Sequence, residues 1–267
     1  MSDRVHGKYS IGELLACVVA RELKDDDSAA IGLNAELMLA ASLLSQKLYS
    51  PSLRIRHGVG YDRGFELNPA AWTSNTKSRS HRIVEYAEAH DRILGVAGPS
   101  KAGMLCDTFF ISGMQIDMEG NTNLIGLKGK DGKVKVRGPG PIGTSSISQL
   151  AKKTFIFTLE HSKRRLVRKV DYVSGIGHGI RKRLGIKGGP LLCITPLCVF
   201  DFAGGKMRIL SIHPWSSLEE VLSKMSFKPI VPKNIPVTKE PSSAELRILR
   251  NIDRRNVLSA IGREIVA

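Results

Sequence analysis

Ile11, Leu14, Leu15, Val18, Val19 and Leu23 recur at three- and four-residue spacing, which predicts a helix over residues 11–24 with one apolar face. Ser10, with Glu13 three residues on, supplies both halves of a capping box at its start. After the acidic turn at 25–27, a short strand is expected at 29–32, a second helix at 35–48 and a second strand at 53–57. Residues 58–82 lose periodicity and are rich in Gly, Asn, Ser and Arg, and an irregular stretch of that length in a compact domain usually covers a site. Residues 107–117 read as one buried strand, followed by a turn at Glu119-Gly120-Asn121. Alternation at 133–137, with Val134 and Val136 on one face, and apolar runs at 154–159, 191–195, 199–202 and 207–212 predict further strands. A helix is expected at 217–225, an extended proline-rich arm at 228–241 and a last short helix at 243–252. Strands that alternate with helices early and cluster late point to an α/β fold, an open, mostly parallel sheet with flanking helices. Residues 1–227 are expected to form one domain, with the arm and C-terminal helix of 228–267 packed on it.

Composition narrows the function classes. The chain has 267 residues, 42% hydrophobic and 24% charged, as in a globular protein with a sizeable core. Its longest apolar runs fall short of the roughly 18 residues a membrane span needs, so no membrane role is expected. The polar start MSDRVHGKYS carries no apolar signal-peptide core, and a cytoplasmic location is the default expectation. Cys17, Cys106, Cys193 and Cys198 each sit among apolar neighbours without metal-type spacing, which predicts buried, reduced thiols and no metal site. The net charge of +15 suggests anionic partners, with basic clusters at 163–169, 181–183 and 247–255. Only 6% of residues are aromatic and no nucleic-acid-binding motif stands out, so nucleic acid is disfavoured against a polyphosphate cofactor such as coenzyme A or a merely solvated basic surface.

The stretch 133–177 carries the most chemistry. Gly138, Gly140 and Gly143 satisfy G-x-G-x-x-G after a strand and before a helical segment, with Glu160 about where a ribose-binding acid would stand in a dinucleotide fold. Three features oppose that reading. Lys-Val-Lys-Val-Arg alternates where a central strand of such a fold is apolar throughout. The segment 145–152 is short for the helix, and Pro139 and Pro141 remove two N–H donors from the loop.

The same stretch resembles the β subunits of family I coenzyme A transferases, above all the glutaconate CoA-transferase branch and the related steroid-ring-opening CoA hydrolase. The resemblance rests on pieces in the family's order: Ser112-Gly113-Met114-Gln115-Ile116-Asp117 with Gly120-Asn121-Thr122-Asn123; Arg137-Gly138-Pro139-Gly140; Thr158-Leu159-Glu160-His161-Ser162-Lys163-Arg164-Arg165; Val170-Asp171-Tyr172-Val173-Ser174-Gly175-Ile176-Gly177; Val199-Phe200-Asp201-Phe202; and Ser211-Ile212-His213-Pro214. They cover residues 112–214. It implies a separately encoded α-type partner in a heteromeric enzyme, an active site between the two subunits, an acyl-CoA substrate, and no permanently bound cofactor beyond coenzyme A as part of that substrate. It also implies that Gly138, Gly140 and Gly143 lie beside the thioester, where backbone N–H groups can stabilise an oxyanion.

One departure limits the reaction. Transferases of this family place a nucleophilic glutamate just before a glycine after the second strand, as Glu-Ser-Gly or Glu-Asn-Gly. Here the segment reads Arg54-Ile55-Arg56-His57-Gly58-Val59-Gly60, with Arg56 where the glutamate is expected. Neither Arg56 nor His57 can form the acyl anhydride on which transfer depends, and using Asp62 or Glu66 would need an insertion. The hydrolase branch also lacks the glutamate, and resemblance to it implies water-dependent cleavage of a carbon–carbon bond in a CoA-linked diketone, with a general base from the partner subunit. Arg137 is then the expected electrophilic or carboxylate-binding group, and His57 a candidate general base. Arg56, Gly58, Gln115 and Asn121 are candidates for the substrate pocket. Glu160 is expected to tie down the basic segment after it, and His178 and Asp201 to lie in loops.

Overall fold

The computed structural model describes residues 8–32, 35–57, 60–61, 106–141 and 143–264, with backbone alone for Arg56, His57, Gly60, Tyr61 and residues 262–264. In chain order the elements are α1 (Ile11–Ala20), β1 (Ser28–Ile31), α2 (Glu36–Leu48), β2 (Arg54–His57), β3 (Gly60–Tyr61), β4 (Thr108–Ile111), β5 (Gln115–Asp117), β6 (Thr122–Asn123), β7 (Gly126–Lys128), β8 (Val134–Arg137), α3 (Thr144–Leu150), β9 (Lys153–Phe157), β10 (Leu166–Val167), α4 (His178–Leu184), β11 (Gly189–Ile194), β12 (Cys198–Ala203), β13 (Lys206–Ile212), α5 (Leu218–Ser223), α6 (Ser243–Ile252) and α7 (Val257–Glu264). The fold is mixed α/β with a large, mostly parallel sheet and flanking helices. The chain divides into two compact units, residues 1–110 with 239–267, and residues 111–238.

In the first unit β1 lies between β2 and β4, parallel to both, and β3 adds a short antiparallel edge. The capping box predicted at Ser10 and Glu13 is formed, and all ten residues of α1 are buried. A helix without a polar face must be covered all round. α2 and α7 both pack on it, and α7 approaches so closely that a Cβ on Gly12 would stand 2.3 Å from the Leu258 carbonyl oxygen. The predicted helix over 11–24 stops at Ala20. Arg21 there donates to both carboxylate oxygens of Glu245 (2.7 and 2.8 Å) and to the carbonyls of Lys239 and Glu240 (2.8 Å each). These bonds fasten the C-terminal segment to the N-terminal helix across more than two hundred residues of sequence.

In the second unit β9 and β11 are parallel, while β12 and β13 continue as an antiparallel meander. The proline-rich arm covers the outer edge of β13. Ile230 bonds Met207 and Ile209, and the Pro236 carbonyl and Thr238 N–H bond Ile212. An exposed strand edge is a template for aggregation, and this arm blunts it.

The long strand predicted at 107–117 is two strands, β4 and β5, in different sheets. The break falls at Gly113, where a Cβ would stand 2.8 Å from the Gln115 carbonyl oxygen. β5 pairs instead with β6 and β10 in a small three-stranded sheet, and β7 and β8 form a separate two-stranded ribbon. α4, α7, β6, β7 and β10 have no clear sequence signal. His178 opens α4 and Asp201 lies in β12, so neither is the loop residue expected. All four cysteines are free and buried.

Candidate active site

The glycine loop grows out of the β7–β8 ribbon. Every residue of β8 is exposed, including Val134 and Val136, so its alternation does not mark a core-facing edge. Arg137 ends the strand, and its Nη1 donates to the Ile125 carbonyl at 3.1 Å. Gly138 N–H donates to the same carbonyl at 2.8 Å, and Gly140 N–H to that of Leu124 at 2.9 Å. A Cβ on Gly138 would stand 2.3 Å from the Leu124 carbonyl oxygen and 2.6 Å from Met114 Sδ, so no larger residue fits. Gly140 has φ +86°, a backbone conformation that favours glycine. Gly143 caps α3, and its carbonyl accepts the Ile147 N–H at 2.9 Å.

This geometry removes the dinucleotide reading. The strand before the glycines belongs to an antiparallel ribbon rather than to a parallel β-α-β unit, and the helix after them has only seven residues. Pro139 and Pro141 have no N–H, and those of Gly138 and Gly140 are spent on the chain's own carbonyls.

Beneath the loop lies a buried polar layer. Asn123 Oδ1 accepts from the N–H of Ile125 (2.9 Å) and Gly126 (3.3 Å), and its Nδ2 donates to Gln115 Oε1 (2.8 Å) and the Gly126 carbonyl (2.7 Å). Gln115 Oε1 also accepts the Asp171 N–H (2.9 Å), and its Nε2 donates to Asp171 Oδ2 (3.2 Å). Ser174 Oγ accepts the Leu124 N–H at 2.8 Å. Asn121 Nδ2 donates to both oxygens of Asp117 (3.1 and 3.0 Å), while its Oδ1 accepts the Gly177 N–H at 2.7 Å. Burial raises the Asp117 pKa, opposed by hydrogen bonds from Asn121, Glu119 and Val170. Gln115 thus spends its polar atoms on Asn123 and Asp171, and Asn121 on Asp117 and Gly177. The sequence signal for this layer is the Gly-Asn-Thr-Asn run, legible as turn chemistry but not as support for a loop fifteen residues on.

Glu160 ties down the basic segment after it. It accepts from Ser162 Oγ, from Arg164 Nε and Nη2 (2.5 and 3.0 Å), and from Arg165 Nη2 (3.1 Å). Burial alone would raise its pKa, but the bonds from Arg164 and Ser162 and the charge of Arg165 hold it at about 2. Arg165 Nη1 then reaches the Gly113 carbonyl at 2.5 Å, beside the start of β5. His161 is buried, with Nδ1 on Thr195 Oγ1 (2.9 Å) and Nε2 on the Val221 carbonyl (3.1 Å). His213 is held alike, by Thr238 Oγ1 and the Thr195 carbonyl at 2.9 Å each. Burial lowers both pKa values to about 4. Asp201 forms a two-pronged ion pair with Arg208, and His178 Nε2 lies 2.8 Å from the Pro190 carbonyl.

Arg137, Gly138, Gly140 and Gly143 therefore share one loop, with Gln115 and Asn121 in the layer below. Arg56 and His57 are the last two residues of β2 in the first unit, in register with Ala30 and Ile31 of β1. Gly58, Asp62 and Glu66 lie outside the described residues. Among the described residues no group of His, Cys, Asp and Glu side chains is placed to hold a metal ion, and no helix is long and apolar enough to cross a membrane.

A model of the coenzyme A transferase family matches residues 13–224. The chain is 28% identical to the β subunit of the 3-oxoadipate CoA-transferase of Pseudomonas knackmussii, covering 92% of this chain and 94% of that one. It is 26% identical to the β subunit of the glutaconate CoA-transferase of Acidaminococcus fermentans, covering 91% of each. Among solved structures it resembles that of the decarboxylase AibA/AibB, with a TM-score of 0.75 at 22% identity, covering 94% of this chain and 98% of that one.

Proposed function

The chain belongs to the coenzyme A transferase family, and on that premise we propose that it is the β-type subunit of a two-subunit enzyme. The enzyme acts on acyl-CoA thioesters by hydrolytic or ring-opening chemistry rather than by transfer through an enzyme-bound anhydride. The observation that supports this reading is Arg56, the penultimate residue of β2, which stands where the resemblance to the family's transferases implies a nucleophilic glutamate. A guanidinium stays protonated and cannot attack a thioester. The likeness to a structure described as a decarboxylase supports it, since that fold also serves chemistry other than CoA transfer.

On this reading the loop from Gly138 to Gly143 lies beside the thioester. Gly138 and Gly140 shape it, because their N–H groups are committed to Ile125 and Leu124, and contact with the developing oxyanion falls to Gly143. Arg137, exposed at the loop's entrance, binds a carboxylate or polarises a carbonyl of the acyl group. The candidate water-activating base on this reading is His57 or a residue of the α-type partner. Coenzyme A enters as part of the substrate, with no resident cofactor. The β7–β8 ribbon supports the need for a partner. Two-stranded ribbons are marginal in water, and this one exposes Val134 and Val136 among Lys133, Lys135 and Arg137. On a chain of net charge +15 such a surface repels a second copy and suits an acidic face of an α-type subunit.

A second reading, CoA transfer through another carboxylate, is favoured by the names of the two relatives. One experiment separates the two. The chain is co-expressed with an α-type subunit, and the complex is tested on acetyl-, succinyl- and glutaryl-CoA with and without a carboxylate acceptor, under hydroxylamine or borohydride trapping. Acceptor-independent hydrolysis with no adduct trapped on this chain is expected, read as thiol release from these thioesters or, on a cyclic CoA-linked diketone, as ring opening that leaves the thioester intact. Acceptor-dependent transfer with a trapped covalent adduct would establish transfer instead.

A further inference from the structure

Arg181, in the last turn of α4, is 2% exposed, the bulkiest fully buried side chain among the described residues. Charged side chains are rarely so buried unless paired with an opposite charge. Arg181 instead donates to backbone carbonyls: Nη1 to Ser148 at 2.5 Å, and Nη2 to Ala151 at 3.3 Å and to Lys187. Its Nε is buried without a hydrogen-bond partner, and burial pulls its pKa below the usual arginine value. Replacing Arg181 with an apolar residue would leave the Ser148, Ala151 and Lys187 carbonyls without this partner, so its loss should be felt first where those carbonyls lie.

The carbonyls it holds explain the arrangement. Ser148 lies in the last turn of α3 and Ala151 caps that helix, where carbonyls lack partners within the helix and a positive charge meets the negative end of its dipole. Of the seven residues of α3 only Ser148 is buried, so apolar packing does little to hold it. The helix starts directly after Gly143, and a rigid helix of that length carries a shift at one end to the other, roughly 10 Å away.

Space has been made for the guanidinium stem. Gly189, at φ +128°, would bring a Cβ within 2.9 Å of Arg181 Cδ, and Gly188, at φ +78°, lies so close to the Lys152 carbonyl that a Cβ would stand 1.9 Å from its oxygen. The other end of α4 is seated on the polar layer. Gly177 N–H donates to Asn121 Oδ1 at 2.7 Å and His178 N–H to the Glu119 carbonyl at 2.9 Å. The upstream limb of the glycine loop hangs from the carbonyls of Leu124 and Ile125, in the same stretch of chain.

We infer that Arg181 is a positioning residue: through α3 it fixes the downstream limb of the glycine loop to the segment that already holds the upstream limb. Its part in turnover rests on the thioester reading of that loop; its part in anchoring does not. Hydrogen–deuterium exchange of the full chain tests the anchor. In R181M, amides of residues 144–151 should exchange about tenfold faster while those of 189–212 keep their protection, and R181K, which keeps the charge, should fall between. Unchanged exchange in 144–151, or equal acceleration in both regions, would overturn the inference; R181K gives the same reading if R181M does not fold. In the co-expressed complex, on whichever of the three thioesters the wild type turns over, kcat should fall with KM unchanged and recover in part in R181K. Local loosening with unchanged kcat would overturn the role in turnover while leaving the anchor in place.

Discussion

His161 and His213 both lie in family-like motifs, and the structure assigns them a structural task that pH can test. Each is buried, with both ring nitrogens within hydrogen-bond distance of oxygens, and Thr195 joins the two through its hydroxyl and its carbonyl. Burial lowers both pKa values from 6.5 to about 4. An imidazole whose folded pKa lies below its unfolded one binds fewer protons when folded, so its contribution is intact above 6.5 and is lost as pH falls toward 4. Between about pH 7.5 and 5.5 each histidine should remove about 1.4 kcal/mol, and the pair about 3 kcal/mol. Domains of this kind are stable by only about 5–15 kcal/mol, so urea denaturation at the two pH values resolves the loss readily. The window excludes the strongly depressed carboxylates, because Glu160 and Glu245, held at about 2, lose their contribution only as pH falls below 4.5. The H161Q/H213Q double variant should be less stable at the higher pH and nearly flat across the window. A wild type that is flat there, or a double variant that loses as much as the wild type, would refute the buried neutral pair.

Three further outcomes are expected. R137A should leave the urea midpoint almost unchanged, because the side chain is exposed and makes one hydrogen bond to a carbonyl, yet lower turnover of the co-expressed complex about a hundredfold if it meets developing charge. G138A must displace the Leu124 carbonyl or Met114, which should cost about 1–3 kcal/mol in denaturation and impair turnover as well. E245Q leaves Arg21 facing a neutral amide, although Glu245 is 1% exposed and also accepts from Tyr49 at 2.7 Å. The loss should be about 3 kcal/mol, seen as a lowered thermal midpoint, with R21M/E245M recovering part of it.

Local rules find the elements they govern. The capping box at Ser10 and Glu13, the helices at 36–48 and 243–252, and the strands of the β11–β13 meander are legible because periodicity and caps act within a few residues. A single strand over 107–117 is the wrong reading because continuous apolar character does not reveal that a chain changes sheets. That change shows in the strand pairings, with the break at the crowded Gly113. The seven-residue α4 and the two-residue β6 and β10 escape a sequence reading because little of their stability is local.

At the glycine loop, sequence alone determined the family resemblance and the presence of Arg56 where a glutamate is expected, since residue identity needs no coordinates. It left open whether the glycines serve a dinucleotide or a thioester, and tertiary structure decided against the dinucleotide by placing β8 in a ribbon. Tertiary structure also decided which polar residues hold the loop. Gln115 and Asn121 meet the backbone N–H groups of Asp171 and Gly177, each 56 residues on, and Arg181 meets the Ser148 carbonyl 33 residues back, contacts that exist only once folding removes water and buried polar groups seek partners within the chain.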